Sequence, residues 1–432
     1  MQRNENRSGM DKHLKKRSRK RLVGYSLAIF LLFIVSMFHW IGWNDRASAI
    51  YLLSGLIMLF SFRKEHVSLD FSVRNVIPCI LLYICHLILN LNWTGNLLNT
   101  AIYTNALSFL FPVMMMVCIS PSDKKTVLDN VSRWFAWLMI PALFLYVLSL
   151  FVTLPSFGTV SLSDSFESAG SDYGVARNCI FLLQPINSGS FTRFRGPFLE
   201  PGHLGMMCAF LLFANRHDYR KKHNLILLIS LAATFSLAGY VLWAIGFFMI
   251  RYAQNRIRLS NLLLYSFILL SLFAFSQLYK NGDNLINELI FSRLTYDQDK
   301  GISGNNRSGA KTTLMFAEML GDKHVLLHGY DENELTFLKG EAGNGLKYYL
   351  VVHGLIGLLL AFVYYLSLLF ISKNKKIAVL SFLFVFLMFI QRTYPFWFSW
   401  IMCYNYMIDI PFAARPKIRG RIKKRKIPTC AR

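Results

Sequence analysis

Long apolar runs, each broken by a few charged or small polar positions, make up most of this chain. The runs are about 14–25 residues long, close to the ~20 that a helix needs to cross hydrocarbon. They predict helical spans over 22–43, 47–62, 76–91, 101–119, 134–154, 202–214, 225–237, 239–250, 262–278, 348–371, 377–390 and 394–412. The stretch 225–250 reads either as one long helix or as two short ones turning at Ser236-Leu-Ala-Gly239. The expected fold class is therefore all-α, a polytopic integral membrane protein with about 12 transmembrane helices. Neither a heptad pattern nor an internal repeat interrupts this reading.

Composition and charge then orient it. The chain is 54% hydrophobic and 16% charged, with mean hydropathy +0.39, which soluble domains rarely reach. Its formal net charge of +24 crowds at the two ends, in Lys12–Arg21 and Arg415–Lys426. Both clusters abut spans, so positive-inside anchoring and anionic lipid account for them with no nucleic acid as partner. With the N-terminus inside, two short helices at 225–250 put every basic connector on the inner face, whereas a single helix sends the later ones outside. The expected organisation is a basic cytoplasmic tail (1–21), one transmembrane domain (22–412) and a second basic cytoplasmic tail (413–432). Two large outer loops, 155–201 and 280–347, interrupt the domain, and loops this long usually carry function or disorder. The first apolar run leads into Asn44-Asp-Arg46 rather than a small-residue cleavage site, so it reads as a span and not as a signal peptide.

The seven cysteines show no pairing or metal-ligand spacing; only Cys179 falls in a long polar loop. Walker, dinucleotide and GxSxG motifs are missing from the sequence, and no cofactor is implied. Candidate chemistry concentrates in the outer loops. Arg193-Phe-Arg-Gly-Pro-Phe-Leu-Glu-Pro-Gly-His-Leu-Gly205 closes the first loop and opens a span. Arginine suits phosphate because its planar fork gives paired donors and never deprotonates. Arg193 and Arg195 are thus candidate anion-binding residues, and Pro201 just inside a helix start places Glu200 at the helix N-terminus. The plainer reading is an Arg–Glu pair that pins the loop to the span. In the second loop Arg293 and Arg307 are the candidates, with Arg307 shaped by Gly304 and Gly309; Lys300, Lys323 and Lys339 read as solvated charges. Residues 310–319 have helical spacing. His203, His328 and His353 lie near span ends, where a histidine serves as a base or as a hydrogen-bonded structural group.

Two arginines, Glu-Pro and a small residue entering a span, followed by a second loop with its own arginine, an amphipathic stretch and Leu326-Leu-His-Gly-Tyr330, resemble the O-antigen polymerases (the Wzy type). Asn344, followed at nine intervening residues by Gly354-Leu-Ile-Gly357, is similar to the spacing in the related O-antigen ligases. Ligases carry a histidine just before that polar residue, whereas Gly343 stands here, which favours polymerase. Arg293 and Gly304 also fit an arginine–glycine spacing of polymerase loops. The resemblance covers roughly residues 185–360 together with the topology.

The resemblance implies a metal-independent membrane glycosyltransferase of the bacterial inner membrane, acting in lipopolysaccharide assembly. Its donor would be a growing glycan on undecaprenyl diphosphate, transferred as a block to a hydroxyl of an incoming lipid-linked repeat unit. Arg195 and Arg307 would hold the diphosphate, Arg193 and Arg293 would assist, and Glu200 would orient or deprotonate the acceptor. His328, Tyr330 and Asn344 would be accessory. Membrane lipids, a flippase and a chain-length regulator are the implied partners. A glycan ligase of the same fold, and a transporter of the lipid-linked sugar, are the two rival readings. Transporters usually show repeated halves and midplane charges, which this sequence lacks.

Overall fold

The computed structural model describes residues 22–37, 39–42, 46–94, 100–161, 175–186, 193–255, 271, 278–279, 284, 296–297, 301–302, 309–338 and 345–410. The chain is mostly helical. In order come α1 (Val23–Val35), α2 (Arg46–Glu65), α3 (Val73–Thr94), α4 (Thr100–Val117) and α5 (Pro121–Ser149). A small antiparallel sheet β1 (Thr159–Ser161), β2 (Val175–Asn178) and β3 (Leu183–Pro185) follows, then α6 (Pro201–Ala214), α7 (Lys222–Ala233) and α8 (Leu237–Ala253). After a two-residue strand pair, β4 (Tyr296–Asp297) and β5 (Gly301–Ile302), come α9 (Ala310–Met319), α10 (Lys323–His328) and α11 (Glu332–Leu335). Three long or buried helices end the described chain: α12 (Leu346–Ile371), α13 (Lys375–Gln391) and α14 (Phe398–Asp409).

α6 is the centre of the bundle. All but one of its residues are buried, as expected of a helix that is apolar all round. It packs on α7, α8 and α14. The α6–α8 crossing is set by glycine: a Cβ on Gly239 would sit 3.0 Å from the Gly205 carbonyl carbon, so the two backbones nearly touch. Buried amides tie neighbours together, Asn130 donating to Ser26 at 3.0 Å and Asn215 to Ser132 at 2.7 Å.

Several predicted boundaries shift for physical reasons. The stretch 225–250 does break in two, with the turn at Thr234–Ser236, where Ser236 caps α8 by accepting from Gly239 N–H. α5 begins at Pro121, well before the predicted 134. Ser120 caps it and Pro121 fits N1, so the charges of its first turns interrupt hydropathy without interrupting the helix. α1 stops at Val35 instead of reaching 43, and a short 3-10 turn at Trp40–Gly42 follows. α14 starts at Phe398 rather than 394, because Pro395 disfavours helical backbone at Tyr394. The predicted span 262–278 lies almost wholly outside the described residues. The first outer loop is not plain loop, as all-α implied, but holds the β1–β3 sheet. By length and composition, α5 and α12 are long and apolar enough to cross a membrane. Shorter apolar helices cover Val23–Val35, Val73–Leu89, Pro201–Ala214, Lys222–Ala233 and Leu237–Ala253.

Connectors sort onto the two ends of the bundle. At one end Trp40 N–H bonds the Pro197 carbonyl (3.2 Å), Trp40 Nε1 bonds Ile180 (2.9 Å), and Phe194 N–H bonds Ala233 (3.2 Å). At the other, Asp409 closes a triad with Arg74 and Lys124, Arg216 donates to the Ile410 carbonyl, and Lys221 pairs with Asp129 at 2.8 Å. Lys376 reaches the Tyr252 carbonyl (3.1 Å) at this same basic end.

Candidate functional site

Arg193 to Gly205 crosses the end opposite those basic residues. Its backbone is pinned on both sides: Leu183 N–H at the start of β3 donates to the Gly196 carbonyl (2.9 Å), and Phe194 bonds the α7–α8 turn. Gly196 has φ +58°, which explains glycine there, since side chains rarely adopt that backbone. Phe194, Phe198 and Leu199 are fully buried, so apolar anchors alternate with the polar groups of the segment. Phe194 packs on Tyr146 (ring centroids 5.3 Å), and Phe198 packs on His39 (5.5 Å) and Phe135 (5.7 Å).

The two arginines are left half-buried between those anchors. Arg193 donates from Nε to the Thr234 carbonyl at 3.0 Å, and Arg195 from Nη1 to the Leu199 carbonyl at 3.0 Å. Glu200 is the N-cap residue of α6 and Pro201 occupies its first turn, as the Glu-Pro sequence predicts. Glu200 has a long-range partner that the sequence did not suggest: Arg392, at the C-terminus of α13, donates from Nη2 to Glu200 Oε2. Arg392 is buried, with its side chain 2% exposed, against 14% for Glu200. The carboxylate thus sits at a helix N-terminus, beside a buried guanidinium, one residue from the carbonyl that holds Arg195. Fixed positive charge and donors dominate this corner.

Aromatic rings wall it. Tyr394 stacks on Trp397 at 4.3 Å and 5°, and His203, one turn into α6, meets both edge-on at 5.9 and 5.5 Å. Sequence reading gave the 392–397 connector no role. The signal within reach was Arg392 itself, a lone charge between two apolar runs.

The second loop brings its own motif onto α12. The helix breaks at Gly354 (φ 61°, ψ −168°), a conformation essentially confined to glycine. His328-Gly329-Tyr330 docks into that break: Tyr330 N–H donates to the Val351 carbonyl at 2.9 Å, and its hydroxyl donates to the Met315 carbonyl at 3.0 Å. Met315, Leu338 and Val351, with Phe316, Tyr330, Leu335 and Tyr348 against them, form a small separate apolar core. Tyr330 is pushed up from the ordinary tyrosine pKa, by burial first and then by Glu318, Glu334 and Asp322; it therefore stays a neutral donor. His328 is exposed at the end of α10, its ring 4.9 Å from that of His324. α9 occupies 310–319, as its spacing predicts.

The two halves lie at the same end of the bundle. Phe389 on α13 meets Tyr349 at the start of α12 (ring centroids 5.0 Å), and Arg392, one turn further on, holds Glu200. Arg193, Arg195 and Glu200 are thus brought together, with Tyr330 and His328 carried on the neighbouring helix start. Arg293, Arg307 and Asn344 lie outside the described residues. No protein family, no curated protein and no solved structure matches this chain.

Proposed function

We propose that the chain is a surface-polysaccharide polymerase of the O-antigen type, lodged in the bacterial inner membrane by about 12 spans with both termini cytoplasmic. Support for the membrane comes from its outward faces. Trp137, Ile140, Phe144 and Val147 form an exposed stripe on α5, and α2 and α12 expose Phe60 (77%) and Phe370 (73%). Apolar surface on that scale calls for an apolar solvent. The connectors rich in Lys and Arg gather at one end, which the positive-inside rule makes cytoplasmic, so the Arg195–Glu200 corner faces the periplasm.

The single observation that carries the reaction is the convergence of Arg193, Arg195, Glu200 and Arg392 at that outer end. In the proposed step an acceptor hydroxyl attacks the anomeric carbon of the donor glycan and passes its proton to Glu200. The bond to undecaprenyl diphosphate breaks, and the electron pair leaves with the diphosphate. Negative charge grows on that leaving group, where fixed guanidinium donors lower the barrier most. Arg195, with Arg307 from the second loop, would take the diphosphate; Arg193 and Arg293 would add charge around it. Tyr330, His328 and Asn344 would shape the acceptor side.

The lipopolysaccharide of a strain lacking this protein tests the reading. Core carrying one repeat unit is the expected pattern. Core carrying none would point instead to a ligase or a transporter.

A further inference from the structure

Arg392 engages only half of its donor edge. The Nε and Nη2 hydrogens of an arginine lie side by side and match two oxygens of one phosphate or carboxylate. Here Nη2 is on Glu200 Oε2, while Nε is buried and has no partner among the described residues. Buried donors nearly always find an acceptor, so an unpaired one on a guanidinium only 2% exposed points to a ligand. Three further features surround it. Glu200 is the N-cap of α6, yet its side chain makes no capping bond. The α6 N-terminus favours an anion. Arg195 sits one residue away, on the Leu199 carbonyl.

We propose that the Glu200 carboxylate is a resident stand-in for phosphate on Arg392: an arriving prenyl diphosphate takes both arms of the guanidinium and releases Glu200 to receive the acceptor's proton. The inference rests on the reading of this corner as a diphosphate site. It makes Arg392 a switch that holds the base occupied until donor is bound. The ligand class is a phosphate group of a prenyl diphosphate.

Binding of inorganic pyrophosphate to the detergent-solubilised full chain separates the possibilities. Glu200→Gln removes the competing carboxylate and should tighten pyrophosphate binding at least about tenfold, the equivalent of one charge-assisted hydrogen bond. Adding Arg392→Gln to that variant should cancel the gain. Unchanged or weaker binding by Glu200→Gln, with Arg195→Ala still weakening it, would overturn the switch and leave the arginine site standing. No binding by wild type or any variant would remove both. Competition by phosphatidylglycerol at equal concentration would give the site to bilayer lipid and overturn the proposal. If Glu200→Gln fails to accumulate, Arg392→Lys decides. It keeps a cation for Glu200 but loses the fork, so it should accumulate normally and bind pyrophosphate about tenfold more weakly; unchanged affinity would overturn the switch.

Discussion

Alanine at Gly354 should free the 309–338 segment from α12 and abolish polymer. A Cβ there would lie 2.3 Å from the Leu327 carbonyl oxygen and 2.6 Å from Gly329 N, both backbone atoms that cannot swing aside. The φ of +61° adds strain of about 1–3 kcal/mol for any side chain. Neither cost can be met without lifting His328-Gly329-Tyr330 out of the helix break, and with it the Tyr330–Val351 hydrogen bond and the small core around Met315. Limited proteolysis should then cut within 309–338 at least tenfold faster, on the order of the lost docking energy. Gly55→Ala is the opposite case. Its Cβ would make ordinary contact with Phe111 at 3.6 Å inside α2, where alanine gains up to ~1 kcal/mol over glycine. Equal protease resistance of Gly354→Ala and wild type would show that the docked loop is not held at that break.

Arg195→Ala should abolish polymer while the protein stays in the membrane at its normal level. A donor aimed at developing charge is worth on the order of a hundred- to a thousandfold in rate. Its ground-state equivalent is a charge-assisted hydrogen bond of ~1.5–3 kcal/mol. Arg195→Lys should restore only part, since a point charge cannot reproduce the fork. Arg307→Ala should behave like Arg195→Ala, with Lys300→Ala and Lys339→Ala as controls that keep nearly normal polymer. The alternative is that Arg195 only closes its turn through the Leu199 carbonyl. In that case abundance and polymer fall together, and Arg195→Lys restores both.

What the sequence made legible was local. Glu-Pro ahead of an apolar run predicted the start of α6, helical spacing predicted α9, and charge parity predicted that 225–250 breaks in two, a few residues after the turn's actual place at Thr234–Ser236. Each rests on residues within one turn of one another, or on a rule about connectors. What stayed hidden depends on packing between distant helices. Arg392 and Glu200 are 192 positions apart, and their pairing follows from how the α13–α14 connector meets the head of α6. Asp409 is a lone acid inside the predicted span 394–412. It pairs with Arg74 and Lys124 from two other helices, which offsets part of the cost of burying it. The early start of α5 is set by the Ser120-Pro121 cap, which a hydropathy pattern does not register. The docking of Leu326–Tyr330 onto Gly354 joins two motifs that the sequence shows only as separate stretches. No spacing rule says that a loop glycine and a helix glycine must share one contact.

Reconstitution tests the central claim most directly. The purified chain in lipid vesicles, given a single repeat unit on undecaprenyl diphosphate and no other protein, should convert it into a ladder of longer glycans. Free undecaprenyl diphosphate should appear in proportion to the linkages formed. The Arg195→Ala, Arg307→Ala double variant should leave the substrate as a single unit. A ladder of undiminished length from that double variant, or substrate carried across the vesicle membrane without any linkage formed by wild type, would contradict the account.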